Sequence, residues 1–571
     1  MKVTKLSVKN YKNLDDINID LDDNCNFIVG ENNLGKSNLL DLFKIIFSNR
    51  SFEESDFMDA SIAISIELTI KLDDIELGNF EDLCDGNDTN TINIICKQET
   101  VDDNIEFHHK ETDIFIPDSR IRAANLIHYH SLRNPIQEVL FGKSKGVSRF
   151  LNNIIQKYLK DNSLTNSDFL HEDKIVDLLG FVNENISKIQ AFSDFDINAV
   201  SDNQLESLLP KMLIFEDKDN KHLSQSGYGV QFLILTTLSI LEKVESIISK
   251  NLNNTIFETV DGQKFISLII GLDEPEVHLH PYMQRSMIKY LNKVISNQNE
   301  EFKTLLKELF DIDGFLGQIV LVTHSPNILL NNYKQVIRFY KEENQTKVIS
   351  GSTFSLSSQE SKHLHLLFPF IKEAFFSRGV VLVEGDSEYS SFPLFANKLG
   401  YDFDDLGISL IQTRGEGGIN PAISLLSKFS IPAVAIRDRD NITDTSIFPT
   451  YLTDKRDFEE EIIETNFSSF QILETIFFDF DSQKENRQMQ AGALKKKAFR
   501  AYNVYSTEPT NNLTYKDITN DLDRKAFYLT WYSINKSVTL GLLIGQSFEN
   551  DNIPLIYKTV INKIVELVSN D

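Results

Sequence analysis

Hydrophobic and polar residues alternate at the start of the chain. VTKLSVKNY and INIDL place apolar side chains at every second position, and NFIV reads as a buried strand that stops at Gly30. SIAISIELTIKL, Ser61–Leu72, alternates over a full strand length, and INIICK and IEFHHK follow it across polar loops. These segments predict an antiparallel sheet. The period then changes. FLNNIIQKYL and KIVDLLGFVNENISKI repeat apolar residues at three and four, which predicts helices. This helical block, about 146–200, separates two halves that each carry nucleotide-site signals, so it reads as an insertion. VQFLILTTLSILEKVESII, Val230–Ile248, predicts one long helix. FISLIIGLDEP, a helix from about Pro281 and QIVLVTHSP follow in the order strand, helix, strand, which indicates a parallel α/β layer.

A second α/β series begins near Ile371. GVVLVEG, ISLIQTRGEGG and PAVAIRDRD are short apolar strands separated by polar loops and helical segments. The expected linker between the halves is Ser350–Lys362. The expected organisation is therefore α/β throughout, with one domain over 1–350 and a second over 363–571.

Charge narrows the partners. The formal net charge is −27, which excludes a globally basic nucleic-acid coat. Any contact with DNA must come from local basic patches or from metal ions that bridge to phosphate. Three cysteines, Cys25, Cys84 and Cys96, give neither a disulfide scaffold nor zinc-finger spacing, and they suit a reducing compartment. The opening MKVTKLSVKNYKNLDD has no apolar core, and no apolar run approaches the ~18 residues of a membrane span. The expectation is a cytoplasmic protein without a membrane segment.

Gly30-Glu-Asn-Asn-Leu-Gly35-Lys36-Ser37 fits the phosphate-binding pattern G-x-x-x-x-G-K-[ST] between a buried strand and an apolar helix. Glycines let backbone N–H groups wrap phosphate, the lysine reaches the outer phosphates and the serine ligates Mg²⁺. Gly30, Asn33, Gly35, Lys36, Ser37 and Asn38 are the candidate nucleotide-binding residues here. Asp273 and Glu274 end a hydrophobic strand, the first placed to hold Mg²⁺ and the second to orient or deprotonate water. His324 ends another strand, where it contacts the terminal phosphate or packs in the core. His278 and His280 form a His-x-His pair that favours a structural or subunit-contact role over metal binding. Ser226 and Gly227 precede the long helix and suit an anion.

In this order, the P-loop, the Ser/Gly segment, LDEPE and THS resemble the ABC/SMC-type ATPases over roughly 1–345. The resemblance implies ATP held between two heads, hence a homodimer or higher homo-oligomer, with the helical insertion as a dimerisation element. Tyr228 and Gly229 depart from the usual serine-glycine-glycine run.

The second half carries different chemistry. Glu384 stands at a strand end, Glu388 lies one helical turn on, and Asp438 and Asp440 stand at a further strand end. Converging carboxylates of this kind bind Mg²⁺ or Mn²⁺. The pattern resembles a Toprim domain, and an ATPase head followed by a Toprim domain resembles the OLD (overcoming lysogenization defect) family, which includes the nuclease-ATPase subunit of Gabija systems. On that resemblance Glu384 and Glu388 match the E-G-x-[ST]-E acids and Arg414–Asn420 the Gly-Gly-x-Asn loop. Asp438 and Asp440 match the D-x-D, and Asp457 and Glu459 the later acids. Lys536 matches a lysine that stabilises charge on the scissile phosphate. Arg487 and Lys495–Arg500 form the densest basic run, either a DNA-phosphate contact or a solvated helix face.

The resemblance implies an ATP-regulated, two-metal DNA endonuclease acting in antiphage defence. Water would attack phosphate between metals held by Glu384, Glu388, Asp438, Asp440 and Glu459. It leaves the partner open: a helicase-like protein, a retron reverse transcriptase with its RNA–DNA hybrid, or none. The second reading is a RecF-like DNA-binding ATPase whose Toprim fold is a non-catalytic interaction module.

Overall fold

The computed structural model describes the chain apart from residues 49, 81–82, 84–89, 131–153, 155–156, 159–160, 163–171, 202–212, 250–254, 278, 414, 440–449 and 570–571. Two compact units result. The first comprises Met1–Lys341 and Gln345–Thr353, the second Glu342–Asn344 and Phe354–Asp571.

Among the described residues, two large sheets build most of the first unit. The alternating segments form the antiparallel sheet β2-β1-β4-β5-β6, made of β1 (Lys2–Lys9), β2 (Ile17–Asp20), β4 (Ile64–Lys71), β5 (Thr91–Gln98) and β6 (Glu106–His109). Its apolar face is buried at every second residue, as in β4 where Ile64, Ile66, Leu68 and Ile70 are all inside. The larger sheet runs β10-β11-β12-β3-β13-β14, with β7 also paired to β11. Its members are β3 (Cys25–Gly30), β7 (Asn125–Tyr129), β10 (Ile256–Glu258), β11 (Lys264–Asp273), β12 (Gly314–Val322), β13 (Val336–Glu342) and β14 (Gln345–Ser350). The pairs β11–β12, β12–β3, β3–β13 and β7–β11 are parallel. Parallel strands buried on both faces read as continuous apolar runs, which is why β11 and β12 show no alternation. Helix α1 (Lys36–Ile46) leaves the end of β3. Only β12 separates the P-loop strand β3 from the acid-bearing strand β11.

The helical block is partly outside the described residues, and Glu172–Ile186 is its long described helix, α2. The block does not stay helical to 200. A two-stranded antiparallel piece, β8 (Asn198–Ser201) with β9 (Leu213–Glu216), closes it. The long helix α3 spans Tyr228–Ser249.

The expected linker is largely structured. β14 runs to Ser350, and the next helix, α4 (Ser358–Ile371), opens on a capping box between Ser357 and Glu360. The polar run SSQESK is a helix start, not a loop. The second unit holds a four-stranded sheet in the order β16-β15-β17-β18, parallel throughout. Its strands are β15 (Gly379–Val383), β16 (Ile408–Gln412), β17 (Ala433–Arg437) and β18 (Thr450–Leu452). Helices α5 (Asp386–Lys398), α6 (Phe458–Asn466), α7 (Asp521–Ile534), α8 (Val538–Ser547) and α9 (Leu555–Ser569) contribute to its core. Among the described residues, no helix is long and apolar enough to cross a membrane.

Candidate functional site

In the first unit the P-loop glycines are fixed by sterics. Gly30 has φ +133°, and a Cβ there would lie 2.1 Å from the Phe339 carbonyl oxygen of β13. Gly35 has φ +89° and leaves no room beside Asn13. Asn33 also takes a positive φ, of 64°. The loop thereby turns back on itself, and Lys36 is buried with its ammonium donating to the Gly30 carbonyl at 2.9 Å and to Glu31. Burial lowers the Lys36 pKa to about 8, against the pull of Glu274, Asp273 and Glu31. Those two carbonyl contacts satisfy the ammonium.

Ser37 Oγ donates to Asp273 Oδ1 at 3.0 Å, so the two expected Mg²⁺ ligands are adjacent. Burial raises the Asp273 pKa, and the Ser37 hydrogen bond opposes that rise. Glu274 has φ +47°, in the left-handed region, and its carboxylate lies 3.4 Å from His324 Nε2. Burial, then Lys36, lower the His324 pKa, with Glu274 opposing. Asn33, Gly35, Lys36, Ser37, Asn38, Glu274 and His324 share one cavity of about 590 Å³. Ser226 and Gly227 do not line it; they lie at the start of α3, where a Cβ on Gly227 would meet open space.

Glu276 does more than extend the acidic loop. Its Oε1 accepts from Thr323 Oγ1 at 2.8 Å and from the His324 N–H at 2.6 Å, and Ser325 Oγ donates to Gln284 Oε1 at 2.7 Å. The LDEPE loop thus clamps the THS turn. His280 is the N-cap residue of the helix Pro281–Ile295, and His278 lies outside the described residues.

In the second unit Glu384 follows β15, Glu388 sits in the first turn of α5, and Asp438 follows β17. Parallel strands deliver their C-terminal ends to one edge, and Glu384, Glu388, Asp438 and Lys536 line one cavity of about 590 Å³ there. Arg437 Nε stands 3.6 Å from Glu384 Oε1. Asp438 Oδ1 accepts the Phe458 N–H at 3.0 Å, which ties it to the start of α6. Asp457 caps that helix through Glu460 N–H and accepts Tyr502 Oη–H at 2.7 Å. Lys536 pairs with Glu459 and lies 3.7 Å from Asp457 Oδ2. Asp440 and Arg414 lie outside the described residues.

Burial is the main cause of the unusual acidity here. It raises Glu388 to about 8, with Asp438 and Glu384 adding repulsion. It raises Asp438 to about 8 as well, against the opposing ammonium of Lys536. Glu459 is raised by burial too, and Lys536 opposes the rise. Burial works against the Lys536 charge, but Glu459 and Asp457 outweigh it and hold the ammonium protonated. Buried like charges demand a cation. Glu459 Oε1 is buried with no hydrogen-bond donor among the described residues. The donor set is all hard oxygen, which fits Mg²⁺ or Mn²⁺.

The basic run is not a plain solvated face. Lys495–Phe499 forms a π-helical turn, Lys495 pairs with Glu508, and Lys497 feels the charges of Lys536, Asp457 and Glu459. Arg487 stands 3.1 Å from Asp481.

A P-loop cradle on one parallel sheet and strand-end carboxylates on another define a P-loop ATPase joined to a Toprim domain. Comparison with known proteins gives the same two parts. A family model described as AAA ATPase domain matches residues 1–179 and 144–329, and one described as overcoming lysogenization defect protein-like, TOPRIM domain, matches residues 375–440. The chain belongs to the OLD family of ATPase–Toprim proteins. It is 22% identical over 481 residues to the OLD nuclease of Thermus scotoductus, covering 76% of this chain and 81% of that one. It is 21% identical to the endonuclease GajA of Bacillus cereus strain VD045, covering 100% of this chain and 95% of that one. Among solved structures, the C-terminal region of the Burkholderia pseudomallei OLD protein matches at 19% identity, covering 34% of this chain and 99% of that one with a TM-score of 0.23.

Proposed function

We propose that this chain is an ATP-regulated, divalent-metal-dependent DNA endonuclease that acts in antiphage defence. One observation carries the nuclease reading: Glu384, Glu388 and Asp438, with Lys536 beside them, open on a single cavity at the C-terminal edge of the parallel sheet. Glu384, Glu388, Asp438 and Glu459 would hold the cation, and Asp440 of the D-x-D is proposed with them. When bound, divalent ions supply Lewis-acid polarisation of the phosphate and a water of lowered pKa. The chain's own groups do the rest. Lys536 is held protonated by Glu459 and Asp457, and it offers an ammonium to a phosphodiester oxygen as negative charge builds. Lys497, within the field of the same acids, extends the positive potential along the strand. Asp457, fixed by Tyr502, keeps Lys536 over the acids.

In the first unit, Lys36 and the P-loop amides bind the ATP phosphates, Ser37 and Asp273 hold its Mg²⁺, and Glu274 orients water with His324 beside it. Gly227 faces open space, which supports an SMC-like arrangement in which a second copy's phosphate meets it across a homodimer. The helical insertion at about 146–200, which contains the described helix Glu172–Ile186, is the proposed dimerisation element. The antiphage role rests on the family resemblance, which leaves open a helicase-like partner, a reverse-transcriptase partner or solitary action.

The test is incubation of the full chain with phage, plasmid and nicked DNA, with Mg²⁺ or Mn²⁺ and with or without ATP. Cleavage that needs the metal and changes with ATP is expected. DNA left intact with both metals would favour the RecF-like reading.

A further inference from the structure

A set of nitrogen ligands lies in the first unit, apart from the oxygen ligands already assigned. Strand β7 runs parallel to β11, with His128 opposite Gly271. His128 and His130 are two residues apart, so at a strand end they share a face. Asp41 lies one turn beyond Ser37 on α1, the same helix that carries the P-loop serine. One oxygen of Asp41 and one ring nitrogen of each histidine all lie within 4.8 Å of one another. The two imidazoles meet edge to face, with centroids 4.2 Å apart.

Four-coordinate ligands at bonds of ~2.1 Å stand about 3.4 Å apart, so closing on one ion takes roughly an ångström of side-chain rotation. Lys44 Nζ stands 3.5 Å from His130 Nε2. An ammonium only donates, so Nε2 is the acceptor in that contact and carries no proton, the form a metal requires. Lys12, 3.4 Å from Asp41, is also 3.5 Å from Asp56 and keeps a counter-charge if Asp41 turns.

We infer that Asp41, His128 and His130 form a binding site for a borderline divalent transition ion of the Zn²⁺ type, adjoining the nucleotide site. The reasoning is one of donor chemistry. Two imidazoles and a carboxylate select Zn²⁺, Co²⁺ or Ni²⁺ over Mg²⁺, whereas Ser37 and Asp273 offer only oxygen. Three protein ligands leave a position for water. Asp41 and His130 both act electrostatically on Asp273, so the ion would sit within reach of the nucleotide's own Mg²⁺ ligand. This site does not depend on the nuclease reading.

The experiment titrates the full chain, stripped of metal, with Co²⁺. Nitrogen-ligated four-coordinate Co²⁺ absorbs strongly in the visible, and octahedral oxygen-ligated Co²⁺ only weakly. One equivalent should give the strong band, displaced by Zn²⁺ and unaffected by excess Mg²⁺. His130→Ala and Asp41→Asn should each abolish it, and Glu384→Ala should keep it. His130 is exposed, so its variant is expected to melt like the parent chain. Absence of the band, or its survival in both variants, overturns the site. So does a His130→Ala chain that loses ATP affinity while its Co²⁺ spectrum is unchanged, since His130 would then serve the nucleotide directly.

Discussion

Gly541 is the most demanding packing position near the second site. Helix α8 crosses α5 there, and a Cβ on Gly541 would lie 2.1 Å from Ser390 Oγ and 2.3 Å from the Ser387 carbonyl oxygen. A normal carbon–oxygen contact is about 3.3 Å, so Gly541→Ala must push the helices apart by about 1 Å at a backbone atom that cannot swing aside. Helix α5 carries Glu388, and α8 begins two residues after Lys536. The substitution therefore moves the lysine relative to the acids. Overpacking of this kind costs about 1–3 kcal/mol. For a unit of this size each kcal/mol lowers Tm by roughly 2–4 °C. A displacement of about 1 Å at a reacting centre costs up to about 100-fold in rate. Scanning calorimetry and a plasmid-cleavage time course read both effects. Gly545→Ala, where the three atoms nearest a Cβ all belong to the Leu394 side chain and none to backbone, should do less. Leu542→Ala, on the exposed side of the same helix, should change neither. A Gly541→Ala chain that melts and cuts like the parent would refute the reasoning.

Other expectations follow from the same geometry. Lys36→Ala should weaken ATP binding sharply in calorimetry, while Mn²⁺ binding by the second unit is unchanged. Glu276→Ala removes the acceptor that Thr323 and His324 share, so ATP hydrolysis should fall by about 10-fold, equivalent to ~1.4 kcal/mol, with ATP affinity nearly kept. The metal-free chain should lose stability as pH rises. Glu388 and Asp438 titrate near 8 when folded and near 4 when unfolded, so the folded state holds more protons between those values. Their contribution is full below about pH 4 and is lost as pH rises through about 8. Urea unfolding at about pH 6 and about pH 9 should show the loss, and saturating Mn²⁺ should reverse it.

The placement of candidate side chains is readable in the chain wherever one segment carries the whole signal. The P-loop is eight consecutive residues between a strand and a helix, and LDE ends a strand because an apolar run must stop where its sheet edge meets solvent. Glu384 and Asp438 were legible for the same reason, each standing at the end of an apolar strand. Contacts made across the fold left no such mark. Tyr502 reaches Asp457 from 45 residues away, and nothing in its neighbours predicts the bond. Glu276 reads as one more acid in LDEPE, and its clamp on Thr323 exists only because β11 and β12 are parallel neighbours. Of the three His-x-His pairs in the chain, His128/His130, His278/His280 and His363/His365, the sequence draws attention to His278 and His280. Among the described residues, the pair that lies near a third metal-binding type of side chain is His128 and His130, because β7 joins β11 beside α1. The polar run at 357–362 looked like a linker because capping residues and loop residues share a composition.

The central claim is that the second unit's acids, and not the nucleotide-site residues of the first, carry out DNA cleavage. Glu384→Ala tests it most directly. Plasmid cleavage in Mg²⁺ or Mn²⁺ should vanish while the rate of ATP hydrolysis stays at the parent value. Full cutting by Glu384→Ala in either metal would contradict the account.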